Sequence, residues 1–587
     1  MNKPVSILGI NCAYHESAAC LIQNGELIAA VEEERYNRIK HAKPAAVNNA
    51  GELPLQSIRF CLESGNLGSL QQIDYVGYSC LPKDRLKKNT QYKHPYNIPP
   101  GDFGTAAGEQ VFYEGNLQVE QKLREMGFTG RFFYMDHHHC HAAGAFFVSG
   151  YDEAAVLVID GIGEFESTTW YKGKGTHLSK LGCFEFPNSL GFLWEKMSAY
   201  LGFSTYDAAK VMGLSSYGEP GAYKAQLEQV FQVTPDGSFI LDDTIVQLRN
   251  SDFSGLEAVF GTARREQPVG EVNADTQKYA DIAVALQIAT EDVFLRLAKT
   301  LKDQTGTDYL CISGGVSLNC VANGYLSYAK IFDNFYVQPA ANDAGTAIGA
   351  AYYIWHEKLG SPRQQVSESP YLGPSYSDSE MADALEQNGL AYEKCDNIEQ
   401  TAARLIADGN IVGWFQGRME IGPRALGNRS LLADPRKPET VALLNSKVKH
   451  REAFRPFCPS VLADKAGEWV ELPNEMPKVA DYMLGAFKVL PDKKHIIPAV
   501  THFDGTSRIH TVHKEVNPKY YKLIAEMEKL TGVPLVLNTS FNDGEPVVCS
   551  PQDAINTFQK TSIDCLVLGT YLVLKQNGQH HPLPVAH

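Results

Sequence analysis

The chain opens with short apolar runs separated by polar loops. Apolar runs occupy Ser6–Ile10, Ala18–Ile22 and Leu27–Val31, with the polar loop Asn11–Ser17 after the first and a tight turn at Gly25 after the second. Runs of this length, rich in β-branched residues and leucine and bounded by polar residues or glycine, are typical of β-strands. The pattern therefore predicts a strand, a polar loop and a hairpin at the start of the chain.

The same order of elements recurs further along. Ala155–Ile159 is a buried strand candidate, followed by the polar stretch Asp160–Glu164 and by strands at Ser167–Tyr171 and near Leu181–Phe186, with a turn at Lys172–Gly175 between them. Two copies of one plan, each followed by helical sequence, predict a duplicated α/β unit with a nucleotide between its halves. This plan resembles the actin, sugar-kinase and Hsp70 superfamily; the alternative is coincidence among common β-hairpins.

Length and a change in sequence character predict a domain boundary. At 587 residues the chain is longer than one hydrophobic core usually supports. Residues 358–376 lose periodicity and gather Ser, Pro, Gln and Gly, which is typical of a linker. We therefore predict domains at 1–357 and 377–587. Within the first, Asp281–Leu301 has the spacing of a core helix, and Glu32–His41 is predicted to start another helix.

The amino-acid composition and net charge argue against some classes of protein. Apolar residues make up 44% of the chain and charged residues 21%, an ordinary globular balance, and the net charge is −15. An acidic chain argues against a general nucleic-acid-binding protein. The first residues turn polar too soon for a signal peptide, no apolar run is long enough to span a membrane, and the twelve cysteines form no Cys-x-x-Cys pair. These features predict a cytoplasmic enzyme with reduced cysteines and with no membrane or nucleic-acid partner.

Residues 136–164 carry the first candidate chemistry. His137 and His141 are four positions apart, so on a helix both imidazoles would project from one face, and Asp160 follows a predicted strand. Two imidazoles and a carboxylate on rigid elements suit a divalent metal. Asp343, at the start of a small-residue helix, is either a fourth ligand or a helix cap. The alternative for the whole stretch is a histidine-rich helix start without metal.

Three loops are candidates for ligand binding or proton transfer. His15 lies in the first polar loop, where a side chain that titrates near neutrality suits an acid or base, although an isolated loop histidine is more often structural. The Gly-x-Gly turn after Asp160 would let backbone approach a phosphate. Paired glycines after Ser313 would do the same at a helix amino terminus, which favours anions.

The second domain begins with a local reversal of charge. Residues 418–455 carry nine Lys or Arg residues against four acidic ones, and several of the arginines stand beside Pro, Gly or Phe, as in Gly422-Pro-Arg and Phe454-Arg-Pro-Phe. Guanidinium groups fixed in this way bind phosphate or carboxylate through two parallel hydrogen bonds. A charge run is usually a solvated face, but its alternation with apolar residues favours a buried anion pocket here.

In combination, these motifs resemble those of the O-carbamoyltransferases of the nodulation-protein and antibiotic-tailoring (tobramycin carbamoyltransferase-like) type. The resemblance runs through nearly the whole chain and rests on nine short motifs that occur in the family's order. They are His15-Glu-Ser-Ala-Ala, His137–His141, Asp160-Gly-x-Gly-Glu, Met212-Gly-Leu-Ser-Ser-Tyr-Gly, Ser313-Gly-Gly-Val-x-x-Asn, Asp343-x-Gly-Thr-Ala, Gly422-Pro-Arg-Ala-Leu-Gly-x-Arg-Ser, Phe454-Arg-Pro-Phe and Asn538-Thr-Ser-Phe-Asn.

The resemblance implies an α/β protein of two domains. The first would be an actin-like (ASKHA, Kae1-like) duplicated domain and the second an α+β YrdC-like domain. The YrdC-like domain would form carbamoyl adenylate from ATP and carbamoyl phosphate, and the Kae1-like domain would transfer the carbamoyl group to a hydroxyl of a small molecule such as a secondary metabolite. The alternatives are an actin-like-fold small-molecule kinase, a tRNA-modifying threonylcarbamoyl-type transferase, and a metal-bound scaffold or sensor.

The resemblance also implies a role for individual residues. His137, His141, Asp160 and Asp343 would bind an iron-type metal, Fe(II) before Mn or Zn, since two imidazoles and two carboxylates suit these ions better than Mg or Ca. The nucleotide, with Mg as a possible companion of ATP, would contact Lys40, Gly161, Gly163, Ser313, Gly314, Gly315 and Asn319. Carbamoyl phosphate would contact Arg424, Lys449, Arg455, Arg508, Asn538 and Ser540, and His15 would be the general base. Neither the acceptor alcohol nor the oligomeric state is predicted.

Overall fold

Two five-stranded sheets of the same topology form the amino-terminal part of the protein. The structure is a computed structural model that describes residues 4–364, 369–473 and 477–575. The first sheet has the order β3-β2-β1-β4-β5 and consists of β1 (Ser6–Asn11), β2 (Ala18–Gln23), β3 (Glu26–Glu32), β4 (Tyr75–Tyr78) and β5 (Arg131–Tyr134). Strands β1 to β3 are antiparallel, whereas β4 and β5 pair in parallel beside β1.

The second sheet repeats this arrangement. Its order is β12-β11-β6-β7-β8, and a separate hairpin, β9–β10, lies between its third and fourth strands in sequence. The bounds are β6 (Glu153–Ile159), β7 (Glu166–Lys174), β8 (His177–Glu185), β9 (Phe231–Val233), β10 (Phe239–Leu241), β11 (Tyr309–Ser313) and β12 (Asn334–Val337). Again three antiparallel strands are followed by two parallel ones. The predicted duplicated α/β unit is therefore confirmed.

The carboxy-terminal part is built on an eight-stranded mixed sheet with the order β13-β22-β21-β14-β15-β20-β16-β19, beside a two-stranded β17–β18 sheet. The bounds are β13 (Glu393–Lys394), β14 (Val412–Phe415), β15 (Arg429–Ala433), β16 (Cys458–Leu462), β17 (Ala486–Lys488), β18 (Thr506–Arg508), β19 (His510–Val512), β20 (Leu535–Ser540), β21 (Cys565–Leu568) and β22 (Tyr571–Leu574). Strands and helices both occur here, and a YrdC-like fold for this part stays a prediction.

Helices cover the faces of these sheets. In the amino-terminal part the α-helices are α1 (Glu34–Asn37), α2 (Leu55–Ser64), α3 (Pro82–Gln91), α4 (Ala106–Glu125), α5 (His137–Phe146), α6 (Leu190–Tyr200), α7 (Ala208–Ser215), α8 (Lys224–Leu227), α9 (Asp243–Val246), α10 (Ser254–Phe260), α11 (Gln277–Thr305), α12 (Cys320–Ala329) and α13 (Thr346–Tyr353). In the carboxy-terminal part they are α14 (Asp378–Gln387), α15 (Ile398–Ala407), α16 (Glu439–Leu443), α17 (Pro518–Thr531) and α18 (Pro551–Lys560). None of them, within the described ranges, is both long and apolar enough to cross a membrane.

Two local predictions need correction. Only Glu34–Asn37 of the predicted helix Glu32–His41 is helical, because β3 continues to Glu32 and Arg38 adopts a left-handed conformation with φ of 61°. Strand β8 begins at His177, ahead of the predicted Leu181, since its hairpin with β7 pairs residues from the turn onward.

Close backbone contact between α5 and α13 positions the candidate metal residues. A Cβ atom on Gly349 would lie 1.7 Å from the carbonyl oxygen of Cys140, and one on Gly144 would lie 2.9 Å from that of Gly345. Glycine at both positions lets the two helices touch backbone to backbone. Because α5 begins with His137 and α13 follows Asp343, this contact brings residues far apart in sequence into one place.

The amino-terminal and carboxy-terminal parts, which are the two predicted domains, pack against each other. The main apolar cluster contains residues of both, including Val156 on β6 and Phe415 on β14. Polar contacts cross the boundary as well: Gly422 N donates to Glu32 Oε1 over 2.7 Å, and Asn323 Nδ2 donates to the carbonyl oxygen of Leu484 over 2.9 Å. Residues 359–364 and 369–376, within the predicted linker, form no helix. All twelve cysteines are free, as predicted.

Candidate functional site

Four side chains meet where the two halves of the duplicated unit approach each other. One ligand atom from each of His137, His141, Asp160 and Asp343 lies within 4.8 Å of the others, and all four side chains are buried. His137 Nε2 lies 3.6 Å from Asp160 Oδ2 and 3.5 Å from Asp343 Oδ1. The corresponding distances from His141 Nε2 are 3.8 Å and 3.6 Å. The structure thus brings together the four residues that the resemblance assigned to a metal.

Hydrogen bonds on the far side of each imidazole fix its orientation. His137 Nδ1 lies 3.0 Å from the carbonyl oxygen of Ser79, and His141 Nδ1 lies 3.1 Å from Ser313 Oγ. Both Nε2 atoms are buried and have no hydrogen-bond partner among the residues that the structure describes. A histidine that binds a metal commonly makes such a bond through its other ring nitrogen. These residues therefore fit a divalent metal.

The two aspartates are held in their charged form. Gly315 N donates to Asp160 Oδ1 over 2.9 Å, which leaves Oδ2 on the histidine side. Burial and the Asp343 carboxylate raise the pKa of Asp160, but the two imidazoles outweigh both and lower it to about 2. Burial likewise raises the pKa of Asp343, while His137 and His141 hold it well below its usual value. Both carboxylates are therefore ionised at neutral pH.

A cavity of about 610 Å³ extends from the two aspartates. Its wall includes His15 from the first polar loop, residues of the two glycine loops and Arg424 of the carboxy-terminal domain. Asn11 Nδ2 donates to the carbonyl oxygen of His15 over 3.1 Å, which fixes the loop. The Nδ1 atom of His15 is buried and has no hydrogen-bond partner in the described ranges, and the His15 ring lies 5.4 Å from that of Tyr206. The candidate base therefore faces the same space as the candidate metal residues.

The predicted nucleotide-binding residues do not all reach this cavity. Gly161, Gly315 and Asn319 line it. Gly314 has φ of +93°, and a Cβ there would lie 2.3 Å from the carbonyl oxygen of Ile159, so this position requires glycine. Asn319 uses its side-chain oxygen to cap α12 by accepting from Ala322 N over 3.0 Å.

Three further residues assigned to the nucleotide, Ser313, Gly163 and Lys40, do not line the cavity. Ser313 Oγ contacts His141, so its observed role is to orient a candidate metal ligand. Gly163 does not line the cavity; its carbonyl oxygen accepts from Tyr14 Oη over 2.6 Å. Lys40 is exposed and does not line the cavity either. Its assignment came only from the resemblance, and the structure does not bring it to the others.

Four arginines of the carboxy-terminal domain form a cluster next to this cavity. We call Arg424, Arg451, Arg455 and Arg508 the arginine cluster. Burial and the Arg508 charge lower the pKa of Arg424 to about 10, and burial and the Arg455 charge lower that of Arg451 to about 9. Mutual repulsion of this kind is relieved by a bound anion. All four side chains are only partly buried, so the buried anion pocket stays a prediction, and Arg451 was not among its predicted residues.

The positive charge of the arginine cluster lowers the pKa of a neighbouring cysteine. Arg508 Nε donates to Cys458 Sγ over 3.1 Å. Burial raises the pKa of the Cys458 thiol, but Arg508, His502 and Arg424 outweigh burial and lower it to about 6. The same field would stabilise a phosphate oxygen.

Other cationic residues in the predicted pocket have protein partners of their own. Lys449 Nζ donates to Ser540 O, to Asn542 O over 2.9 Å and to Asn542 Oδ1 over 2.7 Å. Arg429 donates to backbone carbonyls, including that of Gln416, and its guanidinium lies 3.7 Å from the ring centroid of Phe415. Both side chains are held in structural networks, which the charge count could not reveal.

Two polar residues assigned to carbamoyl phosphate also have structural contacts. Asn538 Nδ2 donates to the carbonyl oxygen of Ala425 and to Ser460 Oγ, each over 2.9 Å. These bonds tie β20 to the loop that carries Arg424. Ser540 Oγ donates to Asn542 Oδ1 over 2.8 Å.

Two charged residues of the cavity were missed at the level of sequence. Glu195 on α6 and Arg249 after α9 both line the cavity. Burial, and more weakly the Asp160 and Asp343 carboxylates, raise the pKa of Glu195 to about 8, while Arg249 partly offsets them. Neither residue stands in a motif, and no spacing in the chain indicates that they meet at the site.

Comparison with known proteins identifies the family. The family profile described as Carbamoyltransferase N-terminus matches residues 6–352, and the one described as Carbamoyltransferase C-terminus matches residues 403–575. The chain belongs to the carbamoyltransferase family. The resemblance predicted from nine motifs, and the enzyme class that it implies, are confirmed.

Relatives support the same assignment over most of the chain. Nodulation protein NolNO of Sinorhizobium fredii is 37% identical over 97% of this chain and 80% of that protein. Nodulation protein NolO of Bradyrhizobium diazoefficiens is 40% identical over 75% of this chain and 79% of that protein. An uncharacterised protein of Synechocystis is 38% identical over 97% of this chain and 96% of that protein.

Solved structures give a weaker likeness. Component A of (R)-2-hydroxyglutaryl-CoA dehydratase from Acidaminococcus fermentans covers 60% of this chain and 97% of its own, at 15% identity and a TM-score of 0.32. HypF of T. kodakarensis covers 62% of this chain and 49% of its own, at 12% identity and a TM-score of 0.33. Likeness at this level identifies no activity.

Proposed function

We propose that this carbamoyltransferase is ATP-dependent: it takes the carbamoyl group of carbamoyl phosphate, forms carbamoyl adenylate, and transfers the group to a hydroxyl of a small molecule. The observation that carries the proposal is the position of Arg424. This side chain belongs to the arginine cluster and also lines the cavity that contains Asp160 and Asp343. An anion pocket that adjoins a candidate metal site suits a two-step reaction. The activated intermediate would form in the anion pocket and react at the candidate metal site.

The first half-reaction needs anion binding. Carbamoyl phosphate is a small dianion, and guanidinium groups bind phosphate oxygens through paired, charge-assisted hydrogen bonds. Arg451, Arg455 and Arg508 would hold the phosphate, and Arg424 would hold the anion at the mouth of the cavity. In forming the adenylate, a water molecule first hydrolyses carbamoyl phosphate, so that inorganic phosphate leaves and carbamate remains. A carbamate oxygen then bonds to the α-phosphorus of ATP, the bond from that phosphorus to the β-phosphate oxygen breaks, and pyrophosphate leaves.

The second half-reaction needs a base and a place for the nucleotide phosphate. His137, His141, Asp160 and Asp343 would hold a divalent metal, which when bound supplies a Lewis acid for phosphate and oxyanion charge. His15 would accept the proton of the acceptor hydroxyl. The acceptor oxygen then bonds to the carbamoyl carbon, the bond from that carbon to the phosphate oxygen breaks, and AMP leaves.

Product analysis distinguishes this mechanism from its main rival. With ATP, carbamoyl phosphate and a panel of hydroxylated natural products, we expect AMP and pyrophosphate in equal amounts, and an acceptor heavier by one carbamoyl group in the mass spectrum. An actin-like-fold kinase would instead release ADP and give a phosphorylated product. Formation of ADP as the nucleotide product would reject the adenylate route.

We expect His15→Asn to separate the two half-reactions. The buried Nδ1 of His15 has no protein partner, so its loss should leave adenylate formation largely intact. Transfer to the acceptor should slow by roughly a hundredfold or more, the usual scale for loss of a general base. Pyrophosphate release and carbamoylated product are measured side by side. His177→Asn, the same change at an exposed site on β8, is the control; an equal loss in both half-reactions of His15→Asn would make His15 a binding or folding residue.

A further inference from the structure

The guanidinium group of Arg249 lines the cavity, and no residue that the structure describes forms an ion pair with it. Its Nε and Nη2 atoms are buried and make no hydrogen bond within the described part of the chain. The group lies over aromatic rings, with its carbon 4.6 Å from the ring centroid of Phe192 and 5.9 Å from that of Phe103. Both phenylalanines also line the cavity. This end of the cavity therefore combines a cation with an aromatic wall.

Nearby charges do not neutralise Arg249. Arg85, which lines the same cavity, is paired with Glu109: its Nη2 donates to Glu109 Oε1 over 3.0 Å. Arg249 makes no ion pair within the described residues, and the cavity residue Asp102 uses Oδ1 to accept from Phe103 N over 2.8 Å. Burial and the Arg85 charge lower the pKa of Arg249. A partly buried guanidinium without an ion-pair partner is stabilised by a ligand that supplies negative charge.

The segment that carries Arg249 is built into the fold. Lys196 Nζ donates to the carbonyl oxygens of Gln247, Asn250 and Asp252 over 3.0, 2.9 and 2.7 Å. The backbone N–H of Arg249 donates to Tyr96 Oη over 3.0 Å. These bonds hold the chain on both sides of Arg249, so the guanidinium is positioned before any ligand binds.

Arg249 and Arg424 bring charge into the cavity from different domains. Arg424 belongs to the arginine cluster, whereas the groups that contact Arg249 all come from the amino-terminal domain. Glu195 lines the same cavity as Arg249 and Asp160, and both charges affect its pKa. If the donor enters beside Arg424, the space between Arg249 and His15 is left for the acceptor.

We propose that the acceptor alcohol carries an anionic group, a carboxylate or a phosphate, which Arg249 binds, next to an apolar part that packs on Phe103 and Phe192. This inference rests on the proposed function, because it assigns the acceptor to a cavity shared with the donor. It names a substrate class: hydroxylated anions with an apolar or aromatic portion, as opposed to neutral or cationic alcohols. A charged hydrogen bond to a carboxylate or phosphate then fixes which hydroxyl faces His15.

Matched probe pairs test the proposal by isothermal titration calorimetry on the full chain. 4-Nitrophenyl β-D-glucuronide against 4-nitrophenyl β-D-glucoside tests a carboxylate, and glucose 6-phosphate against glucose tests a phosphate. We expect one anionic probe to bind at least about tenfold more tightly than its neutral partner, the scale of one charge-assisted hydrogen bond. Arg249→Gln should abolish that preference while affinity for the neutral probe changes little. Arg249→Lys should retain part of the preference for the anionic probe, because lysine keeps the charge but cannot donate two parallel hydrogen bonds.

Controls separate recognition from stability and from the donor site. Arg265→Gln removes the same charge outside the cavity and should keep the preference. Arg249→Gln should melt no lower than the wild type, since an unpaired buried charge is removed; a lower melting temperature together with equal loss of both probes would make Arg249 structural and overturn the proposal. Equal binding of anionic and neutral probes by the wild type would also overturn it.

The proposed function can fail independently. If the wild type forms no pyrophosphate from ATP and carbamoyl phosphate, the adenylate route is wrong, yet probe selectivity that depends on Arg249 would still establish the anion site. If Arg249→Gln impairs pyrophosphate formation as strongly as probe binding, Arg249 holds the nucleotide and the acceptor assignment is wrong.

Discussion

Asp160→Asn and Asp160→Ala are expected to lose bound metal and to lower carbamoyl transfer by roughly a thousandfold, the scale of several kcal/mol of transition-state stabilisation by a Lewis acid. Asp160 Oδ2 lies within 3.8 Å of both candidate histidine nitrogens. Removing its charge takes one of two carboxylates from a buried four-residue site, so the remaining residues should bind a divalent ion much more weakly. Metal content after anaerobic loading with Fe(II), measured by mass spectrometry, and product formation are the two readouts.

The asparagine variant keeps this test separate from misfolding. Its side-chain oxygen can still accept from Gly315 N, the bond that ties Asp160 to the neighbouring loop. Asp152→Asn, the same change at an exposed position just before β6, is the matched control and should keep both metal and activity. Circular dichroism and the melting temperature establish that each variant is folded. Full metal occupancy in Asp160→Asn would remove Asp160 from the ligand set.

Arg455→Ala is expected to abolish the use of ATP with carbamoyl phosphate but to leave transfer from ready-made carbamoyl adenylate in place. Arg455 belongs to the arginine cluster, and its charge lowers the pKa of Arg451. Its weak pairing with Glu452, at 3.6 Å, leaves the guanidinium available to a phosphate. Arg455→Lys should recover little, because a lysine keeps the charge but cannot donate two parallel hydrogen bonds. Pyrophosphate release with the natural substrates and product formation with supplied adenylate are compared.

Comparing Arg455→Ala with His15→Asn shows whether each variant impairs only one half-reaction. The two variants should show opposite defects, since the arginine cluster and the candidate base occupy different domains. Arg404→Ala, on the exposed face of α15, controls for loss of a positive charge in the same domain. If a folded Arg455→Ala that retains its metal failed with both donors, activation and transfer would share one pocket and the proposed division between domains would be wrong.

Much of the amino-terminal fold could be predicted from the sequence because its strands are buried on both faces and flanked by glycine or polar loops. The runs at β1, β2 and β6 contain few polar residues, so their type and order were predictable from periodicity alone. The short helix at Glu34–Asn37 was not, since a left-handed Arg38 ends it and no residue type there signals that conformation. Strand pairing in the eight-stranded sheet also joins segments too distant for a local pattern to indicate.

Some residues of the candidate site could likewise be predicted from the sequence, and others could not. His137 and His141 were predictable as a pair because helical geometry alone places residues four apart on one face. Nine motifs in order were enough to identify the family, since each stands at a loop or an element end where the residue type is restricted. The sequence also showed the excess of Lys and Arg in residues 418–455.

What the tertiary structure decided is which of these residues share a site. The contact of Gly349 with Cys140 brings Asp343 beside the histidines, and nothing in the spacing of the chain implies it. Charge alone could not separate Arg455, whose printed partner is Glu452 at 3.6 Å, from Lys449 and Arg429, whose side chains donate to backbone carbonyls. Arg249 entered the site only through the packing of a loop against aromatic rings. The sequence sets side-chain chemistry and local conformation, whereas hydrogen-bond partners and burial depend on long-range packing, and these decide whether a charged group is structural or free to bind a ligand.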